Sequence, residues 1–298
     1  MNAGRIWPAL LLAALVLTWP GRLAAQAIQR SMYVSVITDA GAPVPDLGPP
    51  DFIVREDNVA REVLHVEPAT DPMQVAVLVD TSQQARNDIA YMRTALPPFV
   101  ATLTEGAVKS EVAIIGFGER PTTLSDYTTS RATLQKGVDR IWSQQGSGAY
   151  LLDAITEISE GFKKKESRRP VIVAIAAEGA EYSFRQYDQV LEALAGGGAA
   201  FYAIMLGTPS SSVSQEAISR NIVLDRGPNN SGGRREQLLS AIALGEKLKQ
   251  LGDQLTHMYK VTYARPQSLI PPEKVTVAAT GAGRTAHGTL IKDDKGRR

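Results

Sequence analysis

At 298 residues, 44% hydrophobic and 21% charged, the chain has an ordinary globular composition, long enough for one large domain or a medium domain plus a smaller one. Its net charge of +1 falls to −1 once the two N-terminal arginines, Arg5 and Arg22, are set aside, which removes any electrostatic case for nucleic acid or an acidic membrane surface as partner. There is no cysteine, so neither a disulfide framework nor a lipidated cysteine is available.

Residues 1–27 read as a signal peptide. Arg5 supplies the charged start, residues 9–17 the apolar stretch, and Leu23-Ala24-Ala25 or Ala25-Gln26-Ala27 the small residues for cleavage. The apolar run is shorter than the roughly 20 residues of a membrane span. The protein is therefore expected to be exported, periplasmic or secreted, with no membrane insertion after cleavage. An uncleaved anchor is the alternative.

Residues 28–70 read as a small β module. Tyr33-Val34-Ser35-Val36-Ile37-Thr38 has strand composition and runs into the turn Asp39-Ala40-Gly41. Phe52-Ile53-Val54-Arg55 and Glu62-Val63-Leu64-His65-Val66 are further strands, and residues 68–72 form a linker.

Beyond the linker the pattern changes. Residues 75–79 are continuously apolar, as in a strand buried on both faces. Ile89, Met92, Leu96, Phe99 and Leu103 recur at helical spacing, and Pro97-Pro98 predicts a kink or a break in that helix. Strands follow at 112–117, 170–176, 199–206 and 259–263, and helices at 131–142, 151–162, 187–195 and 236–255. Residues 208–235 are rich in Ser, Gly and Asn and read as a long mobile loop. Two short strands are expected within 274–291, around Gly281-Ala282-Gly283, and a charged, frayed end over 292–298.

The alternation of strand and helix predicts an α/β fold with a doubly wound, mostly parallel, Rossmann-like sheet over 73–263. The small β module at 28–70 flanks it, and the tail at 264–298 is free to pack with that module. Ligands of such a sheet bind beyond the carboxyl ends of its strands. Asp80 and Ser82 follow the first strand of the sheet, Glu178 follows the strand at 170–176, and Gly146-Ser147-Gly148-Ala149 precedes the helix at 151. These segments are expected to converge.

In this order the segments resemble a von Willebrand factor type A domain: a buried strand ending in Asp80-Thr81-Ser82, a Gly-rich loop before Leu152-Asp153-Ala154, and a strand ending in Glu178-Gly179. The flanks at 33–63 and 231–266 are similar to those of bacterial exported proteins related to this family. The resemblance implies a metal-ion-dependent adhesion site built from Asp-x-Ser-x-Ser, a threonine and an aspartate. Here Asp80 and Ser82 match, Gln84 stands for the second serine, Ala149 for the threonine, and Glu178 for the aspartate. Asp80, Ser82, Gln84 and Glu178 are thus candidate ligands of a degenerate site that binds Mg²⁺ or Ca²⁺ weakly or not at all, because Mg²⁺ demands near-octahedral oxygen ligands. Alternatively, Asp80 and Ser82 cap the loop by local hydrogen bonds.

Tyr182, Phe184 and Tyr187 follow Glu178 on the same edge, and Tyr150 ends the Gly-rich loop. Tyr150, Tyr182 and Phe184 are candidate contacts to a protein partner, or the rings after Glu178 pack on the following helix. Other motifs carry little. Gly116-Phe117-Gly118 lacks the third glycine of a dinucleotide turn, since residue 121 is Pro. His65, His257 and His287 have no metal-ligand spacing, and no nucleophile–base pair can be assembled. Residues 163–169 form a cationic turn suited to a helix C-terminus. The chain reads as non-enzymatic and without a cofactor beyond weakly held Mg²⁺ or Ca²⁺, using the strand-end face as a protein-interaction module. The alternatives are a structural component acting through the β module and a Mg²⁺-dependent adhesion module with an altered site.

Overall fold

The strand β5 (Gln74–Val79) explains the arrangement of most of the chain. Val75, Val77 and Val79 point to one side and Ala76 and Leu78 to the other, and all five are buried. A strand apolar on both faces must be covered twice, and each large side chain so buried contributes about 1.5–3 kcal/mol. The computed structural model describes residues 27–209, 213–267 and 270–292. The expected signal peptide lies outside them except for Ala27, as does the charged end beyond residue 292. Among the described residues no helix is long and apolar enough to cross a membrane.

In chain order the elements before β5 are β1 (Ala27–Thr38), β2 (Phe52–Glu56), β3 (Val59–Arg61) and β4 (Val63–Pro68). After it come α1 (Ile89–Glu105), β6 (Glu111–Gly116), β7 (Thr122–Thr128), α2 (Arg131–Asp139), α3 (Leu151–Lys165) and β8 (Pro170–Ala177). The remainder is α4 (Tyr187–Gly197), β9 (Ala200–Leu206), α5 (Gln215–Ser231), β10 (Arg235–Leu238), α6 (Leu244–Thr256), β11 (Tyr259–Pro266), β12 (Val275–Ala279) and β13 (Arg284–Leu290).

Six strands form the α/β sheet in the order β10-β9-β8-β5-β6-β7, parallel except for the antiparallel edge strand β7. Helices α1, α2 and α6 cover one face through Met92, Leu96, Phe99, Leu134, Val138, Leu248 and Leu251. Helices α3, α4 and α5 cover the other through Leu152, Ile155, Val190, Leu194, Val223 and Leu224. From β5 the chain runs outward through β6 and β7, then returns to add β8, β9 and β10 on the other side. The strand order reverses beside β5, so the switch point, where sheets of this kind bind ligands, lies at its carboxyl end.

The other strands form two antiparallel sheets, β13-β1-β11-β4 and β12-β2-β3. Between them lie Met32, Val34, Val36, Phe52, Val54, Tyr259, Val261 and Tyr263. A buried carboxylate, Glu56, sits among Arg61 (2.9 Å), Arg265 (3.5 Å) and the Tyr263 hydroxyl (3.1 Å). Arg169 ties this sandwich to the α/β layer. Its guanidinium donates to the carbonyls of Asp71 (2.8 Å) and Leu255 (3.1 Å) and stacks 4.6 Å from the centre of the Tyr33 ring.

Several elements depart from the sequence reading. Helix α1 is not split, because Met92, Leu96, Phe99 and Leu103 anchor it on the sheet across Pro97-Pro98. Much of the predicted loop at 208–235 is helix α5, started by Ser214, whose hydroxyl accepts from the Ala217 amide at 3.2 Å. The predicted helix at 236–255 is the edge strand β10 followed by the shorter α6. Strand β11, expected to end the α/β unit, pairs instead with β1 and β4 in the antiparallel sheet.

Candidate functional site

Asp80 is the first residue beyond β5, at the switch point. It is buried, and its two carboxylate oxygens accept from different segments: Oδ1 from the Ser82 amide at 2.8 Å and Oδ2 from the Ala177 amide at 3.0 Å. The side chain therefore joins the ends of two neighbouring strands, β5 and β8. Burial pushes its carboxyl above the ordinary value, and the hydrogen bonds it accepts oppose that shift. The Ser82 hydroxyl is buried close enough to this carboxylate to favour its charged form, but it makes no hydrogen bond of good geometry among the described residues.

The segment after Asp80 makes cross-loop bonds one residue after another. The Thr81 hydroxyl accepts from the Gly118 amide at 2.9 Å, beyond β6. The Thr81 and Ser82 carbonyls accept from the Gln144 amide and the Ser143 hydroxyl, each at 2.9 Å. Gln83 Oε1 accepts from the Gly146 amide at 2.7 Å, in the glycine-rich loop where φ of Gly146 is +78°. Gln84 reaches the other way. Its Nε2 donates to the Ala180 carbonyl and its Oε1 accepts from the Ala180 amide, both at 2.8 Å. A Cβ added at Gly179 would overlap Gln84 Oε1, so this side chain lies directly on the loop after β8.

Glu178 does not meet Asp80 as a free acid. Its Oε2 lies 3.0 Å from Arg220 Nη2, its Oε1 lies 3.9 Å from Arg235, and the side chains of Glu178 and Arg220 are 6% and 3% exposed. Arg220 Nη1 also donates to the Gly179 carbonyl at 2.7 Å. Ala149 packs its methyl group inward and makes a parallel bridge to Glu181. Glu181 is a buried carboxylate whose Oε1 accepts from the Ser183 amide (3.2 Å) and the Leu152 amide (3.5 Å) at the start of α3. Desolvation raises its pKa to about 7. Among the described residues no group of three or more His, Asp or Glu side chains gathers as a metal cluster.

The aromatic residues line the same face. The Tyr182 ring covers Gly148, where an added Cβ would overlap it, and lies 6.3 Å from the Tyr150 ring. Phe184 is 88% exposed, while Tyr187 packs against the core beneath α4. Trp142, which the sequence reading places only as the end of a helix, is 59% exposed and precedes Ser143, which bonds Ser82. Arg220 is the larger omission, because its segment reads as loop; the signals that could have found its helix are Ser214 as N-cap and the apolar spacing of Ala217, Val223 and Leu224.

A family model described as the von Willebrand factor type A domain matches residues 74–231, more than half of the chain. No curated protein matches. A solved structure described as von Willebrand factor type A from Catenulispora acidiphila is similar at 12% identity and TM-score 0.51, over 90% of this chain and 74% of that one. Two structures of proximal thread matrix protein 1 from the mussel byssus, one with a zinc-occupied MIDAS motif, are similar at 16% identity and TM-score 0.50. That likeness covers 68% of this chain and spans half the length of the byssus protein.

Proposed function

The chain belongs to the von Willebrand factor type A domain family, and on that premise we propose that it is an exported, non-enzymatic module that binds a protein partner through its strand-end face, with metal dependence weak or lost. Domains of this family are generally interaction modules. The observation that carries the reading is the exposed aromatic group of Trp142, Tyr182 and Phe184 on loops cross-linked from beneath by Asp80, Gln83 and Gln84. Exposed rings on a rigid scaffold suit an interface hot spot.

The oxygen set is poorly suited to a resident dication. Mg²⁺ and Ca²⁺ want several oxygen ligands at about 2.0–2.6 Å. Ala149 supplies no side-chain oxygen, both amide atoms of Gln84 are engaged by Ala180, and Glu178 faces the Arg220 guanidinium. A dication beside Glu178 would meet a fixed positive charge. No histidine stands on the same strand end as Ser82: the three lie on β4, after α6 and on β13.

The test is retention of a partner from the periplasmic or secreted fraction of the source cells by the parent protein and by a Tyr182→Ser/Phe184→Ser variant, each in EDTA and in millimolar Mg²⁺. The expected result is a partner held by the parent in both buffers and lost by the variant. Retention by the variant, with loss in a Val59→Asp variant of β3, would move the interface to the β sandwich. Retention by the parent in Mg²⁺ only would restore metal dependence.

A further inference from the structure

We propose that Arg220 is the resident cation of the strand-end site, holding in place of a divalent ion the loop that follows β8. The inference rests on the reading of this face as metal-free or nearly so. Asp80, Ser82 and Gln84 follow the end of β5, and Glu178, after β8, brings a buried carboxylate charge to the same face. Such a charge must be paired to stay in a low-dielectric setting. Arg220 pairs it at 3.0 Å, and both side chains are almost wholly removed from solvent, so salt screens the pair little.

The geometry also shows why an arginine does this work. One nitrogen of the planar guanidinium donates to Glu178 Oε2 and the other to the Gly179 carbonyl at 2.7 Å. A single rigid fork thus holds a side chain and the backbone of the next residue together, which a lysine ammonium, acting as a point charge, does less well. Arg220 is placed by the buried face of α5, beside Ala217, Val223 and Leu224. Gln84 holds the following residue, Ala180, by both its amide and its carbonyl. Two side chains distant in sequence therefore fix three consecutive residues of one loop. An ion exchanges with solvent and is removed by chelators, whereas a guanidinium carried on a helix is permanent. Arg220 is a positioning residue for this face, since its burial keeps it from touching a partner.

The test is thermal unfolding of the full chain in EDTA and with Mg²⁺, Ca²⁺, Mn²⁺ or Zn²⁺, together with an Arg220–Glu178 cycle. The parent is expected to show no saturable gain in Tm with any of the four ions. A gain would overturn the metal-free reading and this inference with it. Arg220→Met and Glu178→Gln are each expected to lower Tm by about 10 °C, and the double variant no further than the worse single. Additive losses would overturn the role of Arg220 while leaving the metal-free reading intact. Arg220→Lys is expected to recover about half of the loss, and it carries the cycle if Arg220→Met does not fold. Amide exchange at Gly179 and Ala180 should accelerate in Arg220→Lys while Val34 in the sandwich stays protected, and equal loosening at both places would also overturn the proposal.

Discussion

The Gln84 side chain pairs with the backbone of Ala180 in both directions, donating to its carbonyl and accepting from its amide at 2.8 Å each. A serine is too short to make that pair from position 84. Gln84→Ser is therefore expected to behave like Gln84→Ala, each costing about 1–2 kcal/mol. Urea unfolding checks the loss, and accelerated amide exchange at Ala180 checks its location.

Glu181 makes stability pH-dependent. Burial raises its pKa from 4.5 to about 7, so the native state holds a proton that the unfolded chain releases at lower pH. Its contribution is complete below pH about 4.5 and is lost as pH rises through about 7, on the order of 3 kcal/mol in all. Glu181→Gln keeps an oxygen for the Ser183 and Leu152 amides and has no charge to bury. The variant is expected to flatten this part of the profile and to exceed the parent in stability at pH 8. Urea unfolding between pH 4.5 and 8 measures both effects.

The rings of the strand-end face should separate stability from binding. Phe184 is 88% exposed, and Phe184→Ser is expected to change stability by no more than about 0.5 kcal/mol. Tyr182 covers Gly148 and lies beside Tyr150, so Tyr182→Ser should cost more, about 1 kcal/mol. Both are expected to weaken partner binding, and calorimetric Tm values beside binding measurements distinguish the two effects.

Glu56 is the sensitive point of the sandwich. With its side chain 2% exposed between the partly exposed Arg61 and the buried Arg265, Glu56→Ala leaves the Arg265 guanidinium without its carboxylate and is expected to cost about 3 kcal/mol. Tyr263→Phe removes only the hydroxyl that donates to Glu56 Oε1 and should cost about 1 kcal/mol. Guanidinium unfolding curves give both differences.

The α/β sheet is legible in the sequence because its strands are apolar runs buried on both faces, as residues 75–79 and 170–176 make plain. The position of Asp80 follows from the switch-point rule once that sheet is inferred. Helix α5 is obscured because its buried face includes Ser219, Arg220, Gly227 and Pro228 among the apolar residues, which blurs the 3.6-residue period. The partner of Glu178 is hidden with it. Strand β10, Arg235-Glu236-Gln237-Leu238, has no β-branched residue and takes its form from pairing with β9 at the sheet edge. Gln84 reads as a lost ligand; only its contact with Ala180, 96 residues away, identifies it as a cross-link.

Strand β1 lies between β11 and β13, with Val34 opposite Tyr259 and Gly288. During synthesis β1 leaves the ribosome before the α/β unit, and its two neighbours are made only after that unit. Until then both of its edges lack the strands they pair with, the condition in which a strand is open to chaperones or to wrong pairing. The α/β unit, whose strands and helices are contiguous in the chain, is free to fold first. In this order of events the sandwich closes after the α/β unit, once β11 and β13 have been made.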